Sequence, residues 1–163
     1  MKKLLLVRHA KSSWDAQVSS DFDRPLNDRG KGDAPRVAEF LKSQGFLPDQ
    51  IYSSAAVRAA TTAKMLAKGL ELEQEKLTFD ERIYMADLNH LQAILREIPD
   101  ELETIYLVGH NPTITDCANA LCGDSLDNVP TCGTYAMELD IESWKMLRSG
   151  VGKKLFFQRP KEL

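Results

Sequence analysis

Two runs of the 163-residue chain carry a buried-type apolar stretch straight into a histidine. Leu4–Val7 leads into Arg8 and His9, and Ile105–Val108 leads into Gly109 and His110. A third short run, Gln50–Ser53, leads through Ser54 to Arg58. A guanidinium is a planar fork of donors that matches the oxygens of a phosphoryl group. A neutral imidazole beside it can attack phosphorus or donate to a phosphoryl oxygen. Arg8, His9, Arg58 and His110 can therefore form one phosphate site, provided the fold brings three strand ends together.

The elements around these residues suit that demand. Leu4–Val7 and Ile105–Val108 are short, apolar and unalternating, as strands buried on both faces are. Gln50–Ser53, Leu77–Phe79, Thr134–Leu139 and Lys154–Phe157 read as further strands. Helical spacing or composition marks Gly32–Ser43, Ala55–Lys68, Asp87–Glu97 and Pro112–Leu121, with Gly45, Gly69 and Pro99 as stops. Asp15–Gly32 reads as a polar loop. Strands alternating with helices predict a layered α/β fold with a mostly parallel sheet. Ligands of such sheets bind beyond the carboxyl ends of the strands, where both histidines fall. No repeat, linker or composition break divides the chain, so residues 1–163 are expected to form one domain.

Bulk properties remove several classes of function. At 43% hydrophobic and 28% charged residues, the chain is neither disordered nor of low complexity. A net charge of −3 gives no general attraction to nucleic acid or anionic membrane, so any anion must be held by local cations. No run approaches the roughly 18 apolar residues of a membrane span, and Lys2 and Lys3 precede too short an apolar stretch for a signal peptide. Cys117, Cys122 and Cys132 are odd in number and lack paired spacing, which suggests reduced thiols and a cytoplasmic location.

Four blocks, RHAKSSW, DRPLNDRG, YSSAAVRAATTA and LVGHNP, occur in this order across most of the chain. Together they resemble the signature blocks of the histidine phosphatase superfamily. The short length, RHA in place of RHG, and the RPL block look most like SixA-type phosphohistidine phosphatases. The resemblance implies a phosphoglycerate mutase-like α/β/α sandwich, with a mixed sheet and helices on both faces. It implies that His9 is the nucleophile and becomes a phosphohistidine, that Arg8, Arg58 and His110 bind the phosphoryl group, and that no metal or other cofactor takes part. Electrostatics agree: flanking arginines should lower the pKa of His9 and keep it nucleophilic. His110, as imidazolium, would help neutralise the transferring oxygens.

The other polar residues leave alternatives open. Arg24 can reach the phosphate or pair with Asp21 or Asp23 to hold its loop. Ser12 and Ser13 can donate to phosphate or cap local structure, and Trp14 can line the mouth or pack. Glu81, with Asp80 beside it, is the candidate general acid or a solvated surface carboxylate. His90 and Cys117 read as surface and core respectively, while Cys122 and Cys132 can lie near the mouth without zinc-site spacing. The expected substrate is phosphohistidine in a protein, such as a histidine-containing phosphotransfer domain, because no inserted lid is evident. An imidazole leaving group also needs less acid assistance than an alkoxide. A small-molecule phosphomonoesterase of the same superfamily is the alternative. A mutase, a non-catalytic phosphate-binding module and a metal-dependent hydrolase fit less well.

Overall fold

The computed structural model describes residues 1–163. Six strands form one sheet: β1 (Lys2–Arg8), β2 (Gln50–Ser54), β3 (Leu77–Asp80), β4 (Thr104–Gly109), β5 (Thr134–Leu139) and β6 (Gly152–Gln158). Their spatial order is β3-β2-β4-β1-β5-β6. β1 to β4 run parallel, whereas β5 is antiparallel to β1 and β6 to β5. Four helices, α1 (Asp28–Ser43), α2 (Val57–Gly69), α3 (Leu88–Arg96) and α4 (Thr113–Cys122), cover the sheet. The architecture is the expected three-layer α/β/α sandwich with a mixed sheet.

The unalternating runs owe their composition to having two cores to fill. Leu4 and Leu6 of β1 join Ile105 and Leu107 of β4 in a core beneath α3 and α4. Leu5 and Val7 join Tyr106 and Val108 in a second core beneath α1 and α2. All eight side chains are fully buried. Period-2 geometry sends neighbouring side chains to opposite faces, so a central strand with helices on both sides must be apolar throughout.

The helix placement follows from handedness. The connections β1-α1-β2 and β2-α2-β3 move one way across the sheet, and β3-α3-β4 moves the other way. Right-handed crossovers then force α1 and α2 onto one face and α3 onto the other. Where the direction of travel changes, the carboxyl ends of adjacent strands are left uncovered.

α1 begins at Asp28 rather than near Gly32. Asn27 is its N-cap, its side-chain oxygen accepting from Gly30 N–H at 2.9 Å. Two glycines and a run of charged residues disguise this first turn as loop. Gly30 is there for contact: a Cβ at this position would collide with the Lys11 carbonyl oxygen in the segment after His9. Residues 9–27 are otherwise irregular, apart from a 3-10 turn at Asp21–Asp23 and a single bridge between Ser12 and Leu26. No helix is long and apolar enough to cross a membrane.

Candidate active site

The register of the sheet delivers the four residues to one place. Arg8 of β1 sits opposite Gly109 of β4, and His9 N–H donates to the Gly109 carbonyl at 3.0 Å. Ser53 of β2 sits opposite Val108, which sets Ser54 beside the same strand end. The rings of His9 and His110 lie 5.2 Å apart between centroids. Arg58 comes from the first turn of α2, directly after β2.

His9 is buried, and its Nδ1 lies 2.7 Å from the Ala10 carbonyl oxygen. A carbonyl can only accept, so Nδ1 carries the proton and the lone pair resides on Nε2. Ala10 is anchored in turn by its N–H donating to Thr62 Oγ1 at 2.9 Å, and Thr62 Oγ1 donates to the Arg58 carbonyl at 2.7 Å. The loop after β1 and the start of α2 are thereby locked together. Burial, followed by the charges of Arg58, Arg8 and Arg24, pushes the His9 pKa down to about 4. His9 is thus a neutral imidazole at ordinary pH, with the lone pair of Nε2 fixed in place.

His110 is shifted in the same direction as His9. Its pKa is pushed down to about 3, first by burial and then by His9 and Arg58. With no anion beside it, this shift keeps the ring neutral at ordinary pH. Nε2 of His110 pairs with Ser54 Oγ at 2.7 Å, and the Ala56 N–H also donates to Ser54 Oγ at 3.1 Å.

The arginines are tethered without being saturated. Arg8 Nη1 donates to the Val129 carbonyl at 3.1 Å. Arg58 uses both terminal nitrogens on Asp21: Nη1 to the main-chain carbonyl at 2.8 Å and Nη2 to Oδ2 at 3.0 Å. Six buried side-chain nitrogens or oxygens have no hydrogen-bond partner, and three of them are Arg8 Nε, Arg58 Nε and His110 Nδ1. Buried polar atoms are nearly always satisfied, so three orphans in the neighbourhood of His9 suit a multidentate acceptor. A phosphoryl group offers several oxygens and the negative charge these groups lack.

The network around Asp21 extends beyond the Arg24 pairing that the sequence offers. Tyr84 Oη donates to Asp21 Oδ2 at 2.6 Å, and Arg24 Nε donates to Oδ1 at 3.2 Å. Tyr84 and then Arg58 hold the Asp21 carboxyl down to about 2. Tyr84 also stands edge-on to His110, with ring centroids 5.4 Å apart. The only hints were the acidic pair flanking Phe22 and the tyrosine shortly after β3. Cys132 was also hard to read: its backbone N–H donates to the carbonyls of both Arg8 and His9 at 3.0 Å, with φ at 59°. Its thiol is buried, with a pKa pushed up to about 12.

The remaining candidates divide. Arg24 pairs with Asp21, and its buried charge also helps lower the His9 pKa. Ser12 is buried and accepts from Arg24 Nη1, so its hydroxyl oxygen is already engaged. Trp14 is 76% exposed and lies over the Arg24 guanidinium at 3.7 Å, so it is a rim residue rather than core. Glu81 is exposed in the 3-10 turn Glu81–Ile83 and makes no hydrogen bond into the network. Asp80 is committed to Arg82, at 2.8 Å. His90 is an exposed residue paired with Asp87, and Cys117 is core. Cys122 packs against Met137 Sδ at 3.8 Å, midway along β5 and away from the mouth. No group of three or more histidine, cysteine or acidic side chains is arranged to hold a metal ion.

Comparison with known proteins agrees with this geometry. A model described as the histidine phosphatase superfamily (branch 1) matches residues 4–105, a segment that holds Arg8, His9 and Arg58 and stops short of His110. An uncharacterised chloroplastic protein of Arabidopsis thaliana is 34% identical over 153 residues, 88% of this chain and 69% of that protein. Among solved structures, SixA of Agrobacterium tumefaciens is 25% identical and superposes with a TM-score of 0.81 over 98% of this chain and 99% of that one. The protein histidine phosphatase SixA complexed with tungstate is 22% identical, with a TM-score of 0.83 over 98% of each chain.

Proposed function

The chain belongs to the histidine phosphatase superfamily (branch 1), and from that premise we propose that it is a metal-independent phosphohistidine phosphatase working through a phosphoenzyme on His9. The observation that carries the proposal is the set of three unpartnered buried atoms, Arg8 Nε, Arg58 Nε and His110 Nδ1, around a histidine whose Nε2 lone pair is free.

Chemistry follows from those atoms. The substrate phosphoryl group seats on the arginines and on His110. With Ser54 donating to Nε2, His110 presents a protonated Nδ1 to a phosphoryl oxygen. His9 Nε2 forms a bond to phosphorus as the bond to the leaving nitrogen breaks, and the leaving imidazole takes its proton from solvent. Water then attacks phosphorus, the His9–phosphorus bond breaks, and inorganic phosphate departs. The transition state is loose, so positioning and charge supply most of the rate. Bound phosphate brings negative charge against His110 and raises its pKa, which strengthens that contact as the reaction proceeds.

Phosphohistidine suits this site better than an alkyl phosphate. An alkoxide leaving group needs a proton donor, and the carboxylates at hand are poor donors. Asp21 is held ionised by Tyr84 and Arg58, and Asp80 is held ionised by Arg82. Glu81 as general acid would have to turn inward from the surface. An imidazole needs no such acid. The exposed Trp14 and Met85, the latter beside Tyr84, leave a mouth that a protein surface can approach. The likeness to SixA of Agrobacterium tumefaciens agrees with this substrate class.

The test compares wild type with His9→Ala, in excess chelator, on a phosphorylated histidine phosphotransfer domain and on p-nitrophenyl phosphate. Release from the protein substrate that survives chelation and disappears in His9→Ala is the expected result. Release from p-nitrophenyl phosphate alone shifts the reading to a small-molecule phosphomonoesterase. Activity retained in His9→Ala removes the proposed nucleophile.

A further inference from the structure

A second concentration of positive charge lies next to the site, in a concavity of about 290 Å³ lined by Arg29, Arg159 and Lys161 together with Asn128, Pro130 and Thr131. No carboxylate and no large apolar side chain lines it. Of its three cations only Arg29 has a carboxylate within 4 Å, Asp33 at 3.6 Å, and Asp33 is shared with Arg36 at 3.3 Å. Arg159 is held by stacking over the Phe157 ring, at 5.1 Å, which leaves its charge without a counter-ion. Unneutralised cations crowded into one hollow repel one another, and on a chain of net charge −3 they stand out.

The wall of this hollow is also the wall of the catalytic site. Asn128 and Pro130 flank Val129, whose carbonyl accepts from Arg8 Nη1 at 3.1 Å and from Asn111 Nδ2 at 2.9 Å. Asn111 follows His110 and also donates to Asn128 Oδ1 at 2.7 Å. Cys132, just past Thr131, anchors the far end of the loop on the Arg8 and His9 carbonyls. A group in the hollow therefore sits within one loop residue of the catalytic arginine, close enough to be bound while a phosphoryl group is on His9.

We propose that this hollow docks acidic side chains of the phosphorylated protein substrate, set beside its phosphohistidine. The proposal rests on the protein-substrate reading given above. Three cations from two separate elements, exposed Arg29 of α1 and half-buried Arg159 and exposed Lys161 of the C-terminal segment, match several carboxylates spread over a surface. The lack of apolar lining argues against a hydrophobic anchor. On a chain of net negative charge, a cationic hollow beside the cationic site orients the encounter with an acidic partner as well as holding it.

The test uses the full chain in low salt, where exposed charges are least screened. Hexaglutamate peptide is titrated while backbone amide resonances are followed, in wild type and in R159E/K161E. Shifts confined to residues 128–131 and 159–161, lost in the variant, are expected. In parallel, kcat/KM for a phosphorylated histidine phosphotransfer domain should fall about tenfold in R159E/K161E, since reversing each charge is worth roughly threefold. The value for p-nitrophenyl phosphate should be unchanged. Arg29→Gln, which removes one charge without reversing it and leaves the C-terminal segment intact, should lower the protein value by about twofold at most. Equal losses on both substrates, or shifts that are absent or elsewhere, overturn the proposal. Shifts in the hollow with no hydrolysis of the phosphoprotein by wild type refute the protein-substrate reading and this choice of occupant together, while showing that anions bind there.

Discussion

Burying two neutral histidines together should make the fold sensitive to mild acid, by an amount the structure fixes. The His9 pKa is pushed down to about 4 and that of His110 to about 3, against 6.5 for the unfolded chain. The unfolded chain therefore binds protons that the folded chain refuses. Stability falls as pH drops below 6.5, and the loss continues down to about 4 for one residue and about 3 for the other. Between about pH 7.5 and about pH 5 each histidine removes about 2 kcal/mol, so the pair removes about 4 kcal/mol. His90 is the only other histidine and is exposed. The carboxylates with resolved shifts, Asp21, Asp80, Glu97, Asp100 and Asp124, are all lowered and act below this window. Urea unfolding at both pH values, on wild type, His110→Gln and His9→Gln/His110→Gln, reads the effect directly. Wild type should lose about 4 kcal/mol, the single variant about half, and the double variant almost none. An equal loss in wild type and double variant would show that the histidines are solvated or protonated in the folded state, and the electrostatic account of the site would fail.

Other consequences are open to simple assays. Asp21→Asn should tighten competitive inhibition by inorganic phosphate about threefold or more, because it removes a carboxylate that holds Arg58 and repels the incoming anion; weaker inhibition would make Asp21 a brace for the arginines instead. Gly30→Ala should lower stability by about 1–3 kcal/mol in urea unfolding, since its Cβ meets the Lys11 backbone, and an unchanged midpoint would mean the loop after His9 yields freely. The acid limb of kcat/KM should fall at about pH 4, where free His9 becomes protonated, once ionisation of the substrate is taken into account. A limb near 6.5 would indicate an exposed nucleophile.

Much of this arrangement is legible in the sequence because it depends on backbone periodicity. Leu4–Val7 and Ile105–Val108 must be doubly covered strands, and a parallel sheet then puts Arg8, His9 and His110 at adjacent strand ends. The start of α1 was obscured because Gly30 reads as a helix breaker, although it serves a close approach between helix and loop. The protonation of His110 depends on its burial beside His9 and Arg58, which chain position does not show. The Asp21–Tyr84–Arg58 network joins residues from three distant segments, and the basic hollow joins α1, the loop before β5 and the C-terminus. No spacing rule connects such sets; only the folded topology does.

The most direct test of the central claim is to trap the phosphoenzyme. Wild type is mixed with a phosphorylated histidine phosphotransfer domain, quenched within one turnover under alkaline conditions that preserve phosphoramidates, and digested for peptide mass spectrometry. The account predicts one added phosphoryl group on the peptide containing Arg8 and His9, localised to His9, with none in His9→Ala. Turnover with no covalent phosphate on the protein, or with the label on another residue, would contradict it.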